Sequence, residues 1–305
     1  MDALSQLVEL AGLRASLDLR CQFADAYDVD HPRAPQGEIV FHLVLQGSCR
    51  IELQDGSMIE MRSGDFVALP QGSAHRVRSA SLSTYIAPIV AEDDGALLMR
   101  RNTEGPIDLD LLCGRLSHRS KVAETLFAGL PGALHASLTA GEANADLSAL
   151  VALIRHEVAA ERPGALAIVA SLATVLFTLA LRAQAGPDQN LPGLIRLVSD
   201  PRLARAAQAM LQDPGRDWTL DQLAEKASMA RATFARHFVQ VANVTPGDFL
   251  LLLRVTRAAS LLTQTRRSVG DIGVEVGYQS EAAFNRAFKK TMGSSPAAFR
   301  REPKP

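Results

Sequence analysis

Apolar and polar residues alternate in short blocks through the first hundred residues. "EIVFHLVLQG" at 38–47 is followed by "SCRIEL", "SMIEM", "DFVALP" and "HRVRSASLSTYIAPIV". Gly47-Ser48, Asp55-Gly56 and Ser63-Gly64 separate these runs, and such pairs favour tight turns between strands. An earlier run, "SLDLRCQFA", reads as a further strand. Short strands at this pace predict an antiparallel barrel or jelly roll. Further on the period changes. Leu147, Leu150, Val151, Ile154 and Val158 recur at helical spacing, and "RPG" at 162–164 stops that helix. A second helix, apolar over 165–182, follows. It is shorter than the roughly 20 residues that a membrane span needs, so a buried helix is expected. The two helices are expected to form a dimer interface rather than a lid on the barrel. "AGPDQNLPG" at 185–193 has the composition of a linker, and everything beyond it reads helical.

Charge follows the same division. From residue 201 onward the chain carries 16 Lys and Arg against 9 Asp and Glu, net +7; residues 1–200 carry 16 against 24, net −8. A basic back half points to nucleic acid. Apolar residues make up 47% of the chain, which excludes a disordered protein. Three widely spaced cysteines, Cys21, Cys49 and Cys113, imply no disulfide framework and fit a reducing cytoplasm. The N-terminus lacks a basic start followed by a long apolar run, so no secretory signal is expected.

The back half says one thing twice. "DQLAEKASMARATFARHF" begins at Asp221 and "DIGVEVGYQSEAAFNRAF" at Asp271. Phe234, Arg236, Phe238, Pro246 and Phe249 match Phe284, Arg286, Phe288, Pro296 and Phe299 at an offset of 50. Upstream, Leu223, Ala224, Ala227 and Met229 match Ile272, Gly273, Val276 and Tyr278 at 49. One extra residue therefore falls in the turn of the second copy, where two copies of one supersecondary unit tolerate it. Each unit reads as a short helix, a tight turn and a second helix. Ser228 and Gly277 take the turns, and Ser280 is placed to cap the next helix. This is the helix-turn-helix pattern, whose second helix enters the major groove.

"VGYQSEAAFNRAFKKTMGSSPAAFR" (residues 276–300) resembles the signature of AraC/XylS-type transcriptional regulators. The likeness covers roughly 201–301 and extends to Arg254 and Arg257-Ala258 in the connecting helix. Ala230 departs from the capping Ser usual in the family, and Gly273 from the usual Ala. With the phenylalanines turned inward, Arg231, Ala232, Thr233 and Arg236 are expected at DNA in the first copy, and Ser280, Ala282, Asn285, Arg286 and Lys289 in the second. Arg can grip guanine, Asn adenine, and Ala the thymine methyl. Lys289, Lys290, Arg266 and Arg267 are expected at phosphates.

In the front half, "GDFVALPQGSAH" places Gly64, Pro70, Gly72 and His75 as in the second cupin motif. Ser79 stands where an Asn often follows. The first motif has decayed to Val40 at its Glu position and Ala34 and Gln36 at its His positions. Nearly the full length is similar to the RclR-like AraC subfamily with a cupin-like sensor. Alternation along 38–47 puts His42 on the interior face with Val40. Cys21, which the family resemblance favours over Cys49 and Cys113, is expected to form the effector site with His42 and His75 and to suit Cu or Zn. The thiol could equally sense oxidant, a small organic molecule could bind, or the three could be packed core residues. His31, in a Pro-rich stretch, is a further ligand candidate without geometry.

The expected fold class is α+β: an N-terminal cupin-like β-barrel with helices and a C-terminal all-α double helix-turn-helix domain. The expected boundaries are 1–184 for sensor and dimerisation, 185–198 for the linker and 199–305 for DNA binding. The expected function is a cytoplasmic, sequence-specific transcription factor, not an enzyme, sensing a small ligand, metal ion or oxidant. Its expected partners are an operator duplex, RNA polymerase, as an activator, and a second copy of itself, with no membrane. The alternative is a cupin metalloenzyme of dioxygenase type with an appended helical domain.

Overall fold

The computed structural model describes residues 2–79, 86–93, 97–103, 105–118, 121–137, 144–160, 162–184 and 193–301. Two compact units emerge, and they are not two halves of the sequence. One gathers Leu13–His118 and Pro131–Gln184; the other gathers Met1–Gly12, Arg119–Leu130 and Ala185–Pro305.

The first unit is the barrel. Its strands are β1 (Arg14–Phe23), β2 (Asp28–His31), β3 (Glu38–Leu53), β4 (Met58–Arg62), β5 (Phe66–Leu69), β6 (His75–Arg78), β7 (Val90–Asp93), β8 (Leu98–Arg101), β9 (Leu109–Ser117) and β10 (Leu134–Ala136). They run in the order β10-β5-β3-β9-β1-β8-β7, while β4 and β6 pair with β3, and β2 with β6. Pairing is antiparallel except between β1 and β8. The chain is therefore α+β with a largely antiparallel barrel, as the strand pattern implied.

One expected turn is absent. Gly47-Ser48 does not end a strand: β3 runs through it for 16 residues. Its first part pairs with β5 and β9, its last part with β4 and β6. Gly47 makes the corner at φ +83°, and a Cβ there would lie 1.7 Å from the Asp108 carbonyl oxygen. Only glycine admits both the left-handed backbone and that approach. Asp55-Gly56 and Ser63-Gly64 do separate strands. The run expected at 75–90 is β6, then residues 80–85 outside the described set, then a bridge at Ile86 and the start of β7. His31, expected in a loop, ends strand β2.

Between the sheet faces lies a core of Cys21, Phe23, Tyr27, Val29, Val44, Cys49, Ile51, Met61, Val67, Val77, Leu109, Leu111 and Cys113. Two helices, α3 (Asn144–Ala160) and α4 (Ala165–Gln184), complete this unit; α4 packs on β1 and β10. Val169, Ala173, Leu176, Phe177 and Ala180 of α4 are buried, whereas Leu166, Ile168 and Val175 are exposed. By length and composition α4 could cross a membrane; its buried stripe is instead the face that meets the sheet.

The second unit is all-helical: α1 (Ala3–Ala11), α2 (Lys121–Ala128), α5 (Leu194–Ser199), α6 (Leu203–Gln212), α7 (Leu220–Lys226), α8 (Arg231–Ala242), α9 (Pro246–Gln264), α10 (Val269–Glu275), α11 (Glu281–Met292) and α12 (Pro296–Arg301). The expected cut at 185 is where the chain enters this unit for the last time; residues 1–12 and 119–130 join it from earlier in the sequence. Apolar faces decide it: α1 buries Leu7 and α2 buries Val122, Leu126 and Phe127, and these helices pack on each other and on α5, α6 and α9. Of the expected linker, residues 185–192 lie outside the described residues, and α5 occupies most of the rest.

Candidate functional site

The doubled sequence folds into doubled geometry. Ser228 (φ +54°) and Gly277 (φ +91°) make the two turns. The following amides repeat the same bond: Met229 N–H donates to the Ala224 carbonyl and Tyr278 N–H to the Gly273 carbonyl, both at 2.9 Å. Helices α8 and α11 are each 12 residues long. Their inward rings repeat too: Phe234–Phe238 centroids lie 5.6 Å apart and Phe284–Phe288 centroids 5.7 Å, both edge-on. The extra residue of the second copy is Gln279, between the turn and the Ser280 cap. Ser280 accepts from the Ala283 N–H at 3.3 Å, whereas Ala230 caps α8 with no side-chain bond. Gly273 leaves room for a ring: a Cβ there would lie 3.1 Å from Phe284.

On the outer faces, Arg231, Ala232, Thr233 and Arg236 are exposed, as are Ser280, Ala282, Arg286 and Lys289; Asn285 is half-buried. Arg231 is held by Asp221 at 3.2 Å. Arg236 and Arg286 have no ion pair among the described residues. Arg267, expected at a phosphate, is tied to Glu275 of α10, while Arg266 is exposed. Helix α9, which connects the two copies, has 19 residues. The Thr245 hydroxyl accepts from the Asp248 N–H and Pro246 opens the first turn, so the helix starts earlier than its apolar run.

Inside the barrel, sheet register brings three imidazoles together. His31 of β2 stands opposite His75 of β6, and their rings stack at 4.8 Å and 5°. His42, from β3, meets both edge-on. One nitrogen from each ring can be chosen so that all three lie within 4.8 Å of one another. His42 Nε2 and His75 Nε2 are 2.7 Å apart. His42 also stands opposite Cys113 of β9, and its Nδ1 lies 3.0 Å from Cys113 Sγ. Cys21 sits diagonally across the β1–β9 ladder from Cys113 and shares its core cluster. A continuous row results: His31, His75, His42, Cys113, Cys21.

Protonation in this row is constrained. The Ser73 carbonyl can only accept, so His75 Nδ1, 2.9 Å away, donates to it. Its Nε2 is then a bare acceptor, and His42 Nε2–H donates to it. His42 Nδ1 must accept, and Cys113 S–H donates to it. Burial pushes His31 down to about 3, with His75 and Arg100 adding to the effect. Burial also lowers His42 and His75. All three rings are thus neutral at physiological pH, the form that binds metals. Burial, with the neighbouring Cys21 adding to the effect, raises the Cys113 thiol, and burial pushes Cys49 up to about 12. No carboxylate belongs to the histidine group. A surface pocket of about 430 Å³ reaches His31 and His75, walled by Asp30, Glu52 and Arg76.

Comparison with known proteins agrees with this architecture. Residues 2–186 match the cupin family model and residues 223–302 a helix-turn-helix domain. An uncharacterized HTH-type transcriptional regulator of Haemophilus influenzae is 33% identical over 301 residues, 99% of each chain. The RCS-specific HTH-type transcriptional activator RclR of Escherichia coli is 29% identical over 98% of this chain and 97% of its own. The chain belongs to the AraC-type transcriptional regulators, with a cupin-like N-terminal domain. Among solved structures, the DNA-binding domain of AdpA in complex with a target DNA is 32% identical over 32% of this regulator and 89% of its own chain, at a TM-score of 0.32.

Relatives named as regulators place this regulator among DNA-binding proteins, and the metalloenzyme alternative is not favoured. Its expected effector residues are partly brought together. His42 and His75 share one cluster, but the third imidazole is His31 and not the Cys21 thiol. Cys21 stands behind Cys113, the thiol that meets His42. Alternation could place His42 inside; only the β2–β6 and β3–β9 registers, which are long-range, could place His31 and Cys113.

Proposed function

We propose that this regulator grips an operator duplex with α8 and α11 together, and that an event in the barrel changes that grip. The duplication supports the DNA reading most directly. Arg231, Ala232, Thr233 and Arg236 would face one major-groove segment; Ser280, Ala282, Asn285, Arg286 and Lys289 would face the next. Helix α9, with 19 residues, is about 28 Å long at about 1.5 Å per residue. That length suits two helices about one turn of DNA apart, ~34 Å. The +7 balance of residues 201–305 favours a phosphate backbone.

The sensing site would be the row from His31 to Cys21, with Cys21, His42 and His75 as originally expected and His31 and Cys113 joining them. It offers imidazoles to Cu or Zn, thiols to an oxidant, and a pocket of about 430 Å³ to a small organic molecule. An effector must favour one of two states energetically to alter DNA affinity. Exposed Leu153, Leu166, Ile168 and Val175 on α3 and α4 would be covered by a second copy in a homodimer. The protein would work in the cytoplasm, recruiting RNA polymerase as an activator.

The test is an operator selected from random-sequence DNA with the full chain, then footprinted. Protection of two successive major-groove segments on one face is expected. Protection of a single segment would overturn the paired reading.

A further inference from the structure

Three observations about the histidine row go beyond its being a sensor. The Nε2 of His31 is buried and has no hydrogen-bond partner among the described residues. An unpaired buried acceptor or donor is costly and asks for a partner. The donor set is three neutral imidazoles without a carboxylate, which is poor for Mg or Ca and lacks the acid of the two-histidine iron triad. Finally, His75 is fixed by Ser73 with its Nε2 lone pair facing His42, while His31 stacks on its ring.

We propose that His31, His42 and His75 hold a d10 transition-metal ion, Zn(II) or Cu(I), and that its arrival reverses the hydrogen bond between His42 and Cys113. The ion takes the Nε2 lone pair of His42, so the proton there moves to Nδ1. No electron is transferred and no proton is lost; the only new bonds are from nitrogen to metal. Cys113 Sγ, a donor to Nδ1 before, becomes its acceptor. Its S–H then turns away from His42, and Cys21, diagonal to Cys113 on the neighbouring strand, is the next thiol to receive the change. The 2.7 Å gap between His42 Nε2 and His75 Nε2 must open to about 3.3 Å for two Zn–N bonds of ~2.05 Å at a tetrahedral angle. The fourth position faces the pocket at His31 and His75, which provides the way in. Cys21 is thereby a reporter of the metal and not a ligand. The inference rests on the sensor reading only for its consequence at DNA.

The full chain, purified anaerobically and reduced, should be titrated with Zn(II) against a chromophoric chelator and with Cu(I) against bathocuproine disulfonate. One equivalent of at least one ion is expected. X-ray absorption of that form should show nitrogen neighbours at about 2.0 Å and no sulfur at ~2.3 Å. His31→Ala, at the half-buried end, should weaken binding at least ~100-fold without altering thermal unfolding, while Cys113→Ala should keep one ion per chain and lose about 10- to 100-fold in affinity. Nitrogen-15 spectra should show His42 protonated at Nε2 without metal and at Nδ1 with it. Sulfur in the coordination shell, an unmoved His42 proton, or no stoichiometric binding of either ion would overturn the proposal. Operator affinity measured in parallel separates the two readings. Metal bound as described with operator affinity unchanged leaves this site standing and sinks its sensor role. No metal, but a DNA response to oxidant, does the reverse.

Discussion

Helix α8 lacks what its neighbours have. Thr219, Thr245, Ser268 and Ser280 each cap their helix through a side-chain oxygen. Ala230 occupies the same place before α8 with φ −67° and ψ 144°, the extended backbone of a capping residue, and no oxygen. In Ala230→Ser the new hydroxyl should accept from the Thr233 N–H, as Ser280 does from Ala283. Replacing Ser by Ala at such a position typically costs ~1 kcal/mol, so the reverse change should gain about that much. The single tryptophan, Trp218, lies in this unit and donates its indole N–H to the Asp213 carbonyl at 2.9 Å. Its emission therefore follows unfolding of the DNA-binding unit inside the full chain. With a urea slope of about 1–2 kcal/mol per molar, the midpoint should rise by ~0.5–1 M. Ala230→Val, which supplies bulk without an acceptor, should not raise it. An unchanged midpoint for the serine, or an equal rise for the valine, would refute the reasoning.

Arg236→Ala and Arg286→Ala should each weaken binding to a selected operator by about 1–3 kcal/mol, read by fluorescence anisotropy; loss of neither would remove both residues from the base-reading set. Arg267→Ala should change operator affinity less than Lys289→Ala, because Glu275 already holds Arg267; equal losses would show that the ion pair opens on DNA. Gly277→Ala should lower the Trp218 urea midpoint by the equivalent of about 1–3 kcal/mol, since the new Cβ would meet the Gly215 carbonyl at 2.3 Å on a left-handed backbone. A Gly277→Ala midpoint equal to the parent's would mean that the turn relaxes freely.

What could be read from the sequence was what is local. The helix-turn-helix pairs were legible because every determinant lies within about twenty residues: inward phenylalanines, a turn residue, a small residue at the close approach. The offset change from 49 to 50 even placed the extra residue of the second copy in its turn. In the barrel, alternation placed His42 correctly, for the same reason. His31 was not legible, because a Pro-rich stretch gives no hint that β2 will align His31 with His75. Cys113 was not legible: the family resemblance favours Cys21, and nothing nearby in sequence tells which of three scattered thiols meets His42. Gly47 misled for a physical reason: the positive φ that makes a hairpin also makes a corner in a continuous strand. Helices α1 and α2 were assigned with the barrel because they are its neighbours in sequence, whereas their apolar faces choose other helices.

That last assignment bears on how such regulators can be recombined. The chain leaves the DNA-binding unit after Gly12 and returns at residue 119. The barrel strands attached there, β1 and β9, are paired with each other, with Arg14 opposite Ser117 at the very ends. The first two of the four covalent crossings thus open from one end of one ladder, the ladder that carries Cys21 and Cys113. A chimera spliced only at residue 185 would take its α1 and α2 from one parent and the helices they cover from the other. Grafting residues 13–118 and 131–184 as an insert, with α1 and α2 left in place, keeps each buried face with its own partner. Transplanted that way, a foreign barrel should bring its own specificity to this operator without disturbing the helices that read it.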